Sequence, residues 1–112
     1  MTFSVSGYCK KTGMVGVAIT TSSICVASRC PWVRAGVGAA ATQNVTDPSL
    51  GNLMLDYLEE GSSVQQTIHK VVKEHKFINY RQLALVDSKG NCVSYTGSKT
   101  LGINAVSEGD CC

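Results

Sequence analysis

The chain is short of the residue types that most often announce a function. Its 112 residues contain two prolines, two histidines, one tryptophan and 16% charged side chains, with a formal net charge of +2. So small a positive balance, with Lys10, Lys11, Lys70, Lys73 and Lys76 scattered and no aromatic interleaving, argues against a nucleic-acid surface. No apolar run approaches the ~20 residues of a membrane span. The N-terminus MTFSVSGYCKKTG lacks the basic-then-apolar layout of a secretion signal, so a cytoplasmic location is expected. No C-x-x-C exists. Cys25 and Cys30 are five apart and Cys111–Cys112 are adjacent, which is poor spacing for zinc. His69 and His75, six apart, fall on different faces of a helix and read as solvated. Six cysteines could form a disulfide framework. Without a signal peptide, and with Cys9, Cys25 and Cys92 in apolar strand patterns, buried free thiols fit better. Neither a metal nor a cofactor is implied.

What is present reads as one globular domain over residues 1–112, with 44% hydrophobic residues. Thr2–Tyr8 alternates polar and apolar side chains and predicts a strand. Lys10–Gly13 is a turn, and Met14–Thr21 returns as the second strand of a hairpin. Ile24–Ser28 is expected to continue it or to form a third strand ending at Arg29. Pro31 bars Cys30–Trp32 from a central strand. Ala35–Thr42 is a run of small residues suited to a strand compressed between layers. Trp32 is either a core anchor or the wall of a pocket.

Asp47–Pro48 opens a helix, with Asp47 as N-cap, and Gly61 closes it. Leu50, Leu53, Met54, Tyr57 and Leu58 give its apolar stripe. Ser63–Gln66 is a capping box for a second helix, with Val64, Ile68, Val71 and Val72 as its stripe and its end near Lys76. Tyr80–Val86 and Asn91–Thr96 form a second hairpin about the turn Asp87–Gly90. Arg81 and Gln82 are expected to serve structure, with Asp87 or Glu59 as partners. The order predicts an α+β fold, an antiparallel sheet with both helices on one face. Val5, Val15, Val17, Ile19, Leu83, Leu85 and Val93 would then leave the other face apolar. A second layer from outside the sequence is expected to cover it, supplied by a homo-oligomer or a companion chain.

Certain residues resemble a family. Met1–Val5, Thr12-Gly13 and Gly16–Ala18 fit it, as do Pro31–Ala39, Ala41–Gln43 and Pro48–Gly51. Tyr80–Gln82, Val86-Asp87, Gly90 and Thr96-Gly97 complete the likeness. Together they resemble a mainly bacterial group, the domain-of-unknown-function family ten twenty-eight, whose members look about twice this length. That group is similar to the N-terminal-nucleophile hydrolases, which implies an αββα sandwich of which this chain holds part. The resemblance implies a metal-independent amidohydrolase acting on a small amide or peptide-like substrate. The alternatives are a non-catalytic ligand-binding or structural protein on the same scaffold and, third, a cysteine metal module.

In such hydrolases an N-terminal Thr, Ser or Cys attacks an amide, with its own α-amine as the base. Thr2 matches that position once Met1 is removed; otherwise it is a first-strand residue with an exposed hydroxyl. Arg29 would tune the amine or grip a carboxylate. N–H groups of Ala35–Ala41 would hold the oxyanion. Thr42, Gln43 and Asn44 leave the small-residue strand at a corner suited to substrate, as does Trp32 if it is a pocket wall; local capping by Asn44 and Thr46 is the other reading. If the chain were cleaved after Cys112, leaving the nucleophile on a companion chain, Cys111 and Cys112 would lie beside that site; otherwise they are a frayed or truncated end.

Overall fold

A computed structural model describes residues 1–112 as three layers. The outer layer is a two-stranded antiparallel hairpin, β1 (Thr2–Tyr8) and β2 (Val15–Thr21). The middle layer is a four-stranded antiparallel sheet ordered β3-β4-β5-β6, with β3 Pro31–Arg34, β4 Gly38–Asn44, β5 Arg81–Asp87 and β6 Cys92–Thr96. The inner layer is a pair of helices, α1 (Ser49–Glu59) and α2 (Val64–Glu74). No helix is long and apolar enough to cross a membrane.

The register of the sheet sorts its side chains. Ala40 faces Leu85, and Leu85 faces Val93; Thr42, Leu83 and Tyr95 form the next row. These rows point at the helices and join Leu50, Met54, Val64, Ile68 and Val71 in one core cluster. Each fully buried large aliphatic there is worth roughly 2 kcal/mol. The alternate rows, Gln43–Gln82–Thr96 and Ala41–Ala84–Ser94, point the other way, as strand pleating requires. The hairpin lies on that side, touching β3, β4 and β5. β4 is therefore covered on both faces, and Ala39, Ala40, Ala41 and Thr42 have no exposure at all.

Two expectations change here. The apolar list on the bare face divides between layers. Leu83, Leu85 and Val93 belong to the helical core, and Val15, Val17 and Ile19 sit on the hairpin, partly buried. Of that list only Val5 is well exposed, at 56%. The chain thus supplies part of its own second layer, because the first hairpin folds over the sheet instead of extending it. The third strand at Ile24–Ser28 is instead a 3-10 turn over Val26–Ser28. Cys25 takes a left-handed φ of 56°, which ends the extended backbone, and the Ser28 hydroxyl donates to the Cys25 carbonyl at 2.7 Å.

Pro31 starts β3, an edge strand, where its missing donor costs no ladder bond. Asp47 caps as expected, one residue further out: its Oδ1 accepts from the Ser49 N–H at 3.1 Å while Pro48 holds the cap position. The capping box at Ser63 and Gln66 has both its bonds. Arg81 pairs with Asp47 and the Val45 carbonyl rather than with Asp87 or Glu59. Glu59 instead binds Arg34, and Asp87 closes its own turn through the N–H groups of Lys89 and Asn91.

Two predictions test this packing. A β-carbon at Gly51 would overlap the Trp32 ring. Gly51→Ala gains about 1 kcal/mol of helix propensity but forces the ring aside at about 1–3 kcal/mol. The expected net is destabilisation, read as a lower urea midpoint; a higher midpoint would show that α1 is not pressed on Trp32. The second concerns Asp47, whose carboxyl is held below its ordinary value by the Ser49 hydroxyl, with Arg81 and His75 adding attraction. A lowered folded value stabilises above the unfolded value and loses that stability as pH falls through the folded one. Asp47→Ala should cost about 1 kcal/mol near neutrality. Its difference from the parent should shrink below about pH 4, near the unfolded Asp value. A gap unchanged between pH 7 and pH 3 would sink this account.

Candidate functional site

Hairpin geometry places the first candidate. Turn residues Lys10–Gly13 set Cys9 opposite Met14, and the ladder then runs down to Thr2 opposite Thr21. The two threonine hydroxyls meet at 2.9 Å. Around them lies a cavity of about 50 Å³ lined by Thr2, Thr21, Ser23, Arg29, Gln43 and Asn44, with Cys30, Val26 and Thr46 behind. Its volume suits one carbonyl or carboxylate group, not a whole ligand. Four of the six candidates, Thr2, Arg29, Gln43 and Asn44, are thus brought together from β1, the 3-10 turn and the end of β4.

The other two stand behind the cavity. Trp32 lies on the helix side of the sheet against α1, packed on the core cluster. Its Nε1–H donates to the Arg29 carbonyl at 3.3 Å, and the Thr42 hydroxyl donates to the same oxygen at 3.1 Å. Neither side chain reaches the cavity. Both fix the backbone of Arg29, which does.

Arg29 is itself tied down. Its Nη1 donates to the carbonyls of Ile24 and Cys25 at 2.7 and 3.0 Å, closing the loop that holds it. It is the only ionised side chain lining the cavity, so the cavity favours a carbonyl or an anionic group. Gln43, on the hairpin side of β4, donates its amide to the Ser4 hydroxyl and joins the sheet to the first strand. Burial pushes the Cys30 thiol up from its ordinary value, so this neighbour is a poor nucleophile.

Asn44 has a left-handed φ of 69°. It turns its side chain toward the C-terminal segment: Oδ1 accepts from Leu101 N–H at 2.9 Å and Nδ2 donates to the Leu101 carbonyl at 3.2 Å. Local capping by Asn44 is also present, through its Oδ1 and the Val45 N–H at 3.2 Å.

The oxyanion assignment to Ala35–Ala41 needs correction. Ala39, Ala40 and Ala41 lie in a strand paired on both sides, and the Val37 N–H is bonded to Arg34. Those donors are used in ladder and turn bonds, and Gly38 begins the end of β4 remote from Gln43. Within this chain Cys111 lies away from Thr2. Its carbonyl accepts from the N–H of Tyr8, at the opposite end of β1. All six cysteines are free, but Cys9, Cys25 and Cys112 are exposed rather than buried. No group of three or more His, Cys, Asp or Glu side chains is placed to hold a metal ion. Thr21 and Ser23 are lining residues that the sequence does not mark, and Thr46 is marked there only as a local cap. The hairpin arithmetic that pairs Thr2 with Thr21 was the available signal.

Asn44→Ala should leave an unfavourable φ on a residue with a β-carbon and lose both bonds to Leu101. The expected cost is about 2 kcal/mol, with faster proteolysis between residues 97 and 104. Asn44→Gly should relieve the backbone but not restore the protection. Equal protection in all three proteins would show that Leu101 is held by something else.

No curated protein matches the chain. Among solved structures it is similar to the crystal structure of protein SPO2555 from Silicibacter pomeroyi, itself assigned to DUF1028, with a TM-score of 0.94 and 29% identity. The match covers 98% of this chain and 49% of that one, so this chain spans about half the length of that relative. The model of the family of unknown function DUF1028 matches residues 2–112, and the chain belongs to that family.

Proposed function

We propose that the chain carries the nucleophile of an N-terminal-nucleophile amidohydrolase acting on a small amide or peptide-like substrate. The observation that carries this is the meeting of Thr2, Thr21, Arg29, Gln43 and Asn44 around one small cavity at the head of the first strand. With Met1 removed, the α-amine of Thr2, of ordinary pKa about 8, takes the proton from its own hydroxyl. Oγ1 attacks the carbonyl carbon, and the amine then protonates the leaving nitrogen. An ester on Thr2 remains, and water cleaves it with the amine again as base. Thr21, at 2.9 Å, orients the attacking hydroxyl. Arg29 and the Gln43 and Asn44 amides supply recognition of the carbonyl side. Such chemistry calls on no metal.

The wider reading is an αββα sandwich. Helices, sheet and hairpin would be three of its layers, and Phe3 and Val5, exposed on the outer side of the hairpin, support a companion chain or second subunit there. Six free thiols support a reducing, cytoplasmic setting. A second reading, a non-catalytic ligand-binding protein on the same scaffold, is favoured by one feature: Arg29 already satisfies two carbonyls.

Intact mass and electrophile labelling decide between them. The enzyme reading expects a mass lower by one methionine. It also expects one equivalent of a β-lactone or epoxyketone on Thr2, abolished in Thr2→Ala and reduced at least tenfold in Arg29→Ala. A protein with a verified free Thr2 amine that takes up neither reagent is not an N-terminal-nucleophile hydrolase.

A further inference from the structure

The chain has three arginines, and two of them are neutralised by carboxylates. Arg34 meets Asp56 at 2.8 Å and Glu59 at 2.7 Å, and Arg81 meets Asp47 at 3.7 Å. Arg29 meets none. Main-chain groups hold it instead. Its N–H donates to the Val26 carbonyl at 3.2 Å, and its own carbonyl accepts from Trp32 and Thr42. Its guanidinium closes on the carbonyls of Ile24 and Cys25, and both of these bonds leave from Nη1. Nε and Nη2 are left without a partner in the chain. Those two nitrogens form one edge of a planar fork, the geometry that grips a carboxylate through two parallel bonds.

Carbonyl oxygens are neutral acceptors, so they orient the guanidinium and leave its full charge uncancelled. The side chain is ordered before any ligand arrives, which removes part of the ordering cost of binding. Nothing on the walls opposes an anion, because Thr2, Thr21, Ser23, Gln43 and Asn44 are all neutral. Ser23 gives its N–H to the Thr21 hydroxyl at 3.3 Å and keeps its own hydroxyl free to donate. Thr2 and Arg29 line the same cavity of about 50 Å³, so a group on the fork lies only a few bonds from a group at Thr2.

We propose that Arg29 is a carboxylate anchor, and that the ligand is a small monocarboxylate whose amide carbonyl lies a few bonds from the carboxylate. The Nε–Nη2 fork takes the two carboxylate oxygens, and the amide reaches Thr2. The fork separates two roles open to Arg29. Tuning the Thr2 amine needs only a positive charge; anchoring a carboxylate needs the planar pair of donors. Neutral diamides are poor ligands on this account, and cationic amides poorer. The anchor stands on Arg29 alone; placing a scissile amide beside it rests on the hydrolase reading above.

The test compares succinamate, with one carboxylate and one amide, against succinamide, in which a second amide replaces the carboxylate. Each is titrated into the 112-residue chain and followed by NMR. Succinamate is expected to shift Arg29, its Nε–H included, together with Thr21 and Ser23, and to bind at least tenfold more tightly than succinamide. That preference should shrink as salt is raised. Arg29→Lys keeps the charge without the fork and should lose most of the preference; Arg29→Gln should remove it. Because either variant loosens the loop at Ile24–Cys25, the comparison of the two ligands in the unaltered chain decides the matter by itself. Equal affinities, shifts that leave Arg29 untouched, or a full preference retained in either variant overturn the proposal. The hydrolase reading fails separately. A preference for succinamate with no β-lactone uptake at a verified free Thr2 keeps the anchor and removes the enzyme, and uptake without the preference does the reverse.

Discussion

Close packing on both sides of β4 is the constraint on which the rest depends. Helices press on one face of this strand and the first hairpin on the other, and its residues from Ala39 to Thr42 are wholly inaccessible. Nothing larger than a methyl or a threonine fits between those layers. Close-packed interiors tolerate an added methylene poorly, so the strand's small size sets the spacing of all three layers. Trp32 on the neighbouring edge strand fills the space that small residues leave, and it does so against a glycine of α1. Large and small residues are exchanged across the layers rather than distributed evenly within each.

Much of this was legible. Thr2–Tyr8 and the two helices follow from period and punctuation, because hairpin turns and capping boxes act over four or five residues. The run Ala35–Thr42 was readable as a compressed strand for the same steric reason that makes it one. What was not legible was nonlocal. Strand count alone does not say whether the first hairpin joins the sheet edge or folds across its face, since Val15, Val17 and Ile19 need burial either way. Ile24–Ser28 looks like a strand by composition. It fails to be one because Arg29 reaches back to two carbonyls and holds the chain in a turn.

The candidate site shows the same division. Gln43 and Asn44 were visible as polar residues leaving an apolar strand, and Thr2 through the family likeness. Their convergence on one cavity required the hairpin to cross the sheet. Trp32 and Thr42 were visible too, but with the wrong neighbour in view. They meet the Arg29 carbonyl from the helix side and so act on the cavity through the backbone. The oxyanion donors expected along Ala35–Ala41 were misjudged because a strand paired on both sides has no N–H to spare.

Asn44 joins two parts of the molecule that sequence separation keeps far apart. One side of this residue forms the wall of the small cavity; its amide clasps both backbone groups of Leu101. The segment around Leu101 leads on to Ala105–Glu108, which line a cleft of about 280 Å³ between the hairpin and the sheet. Two hydrogen bonds and one left-handed backbone residue thus tie that segment to the cavity wall, with Asn44 as the link between them.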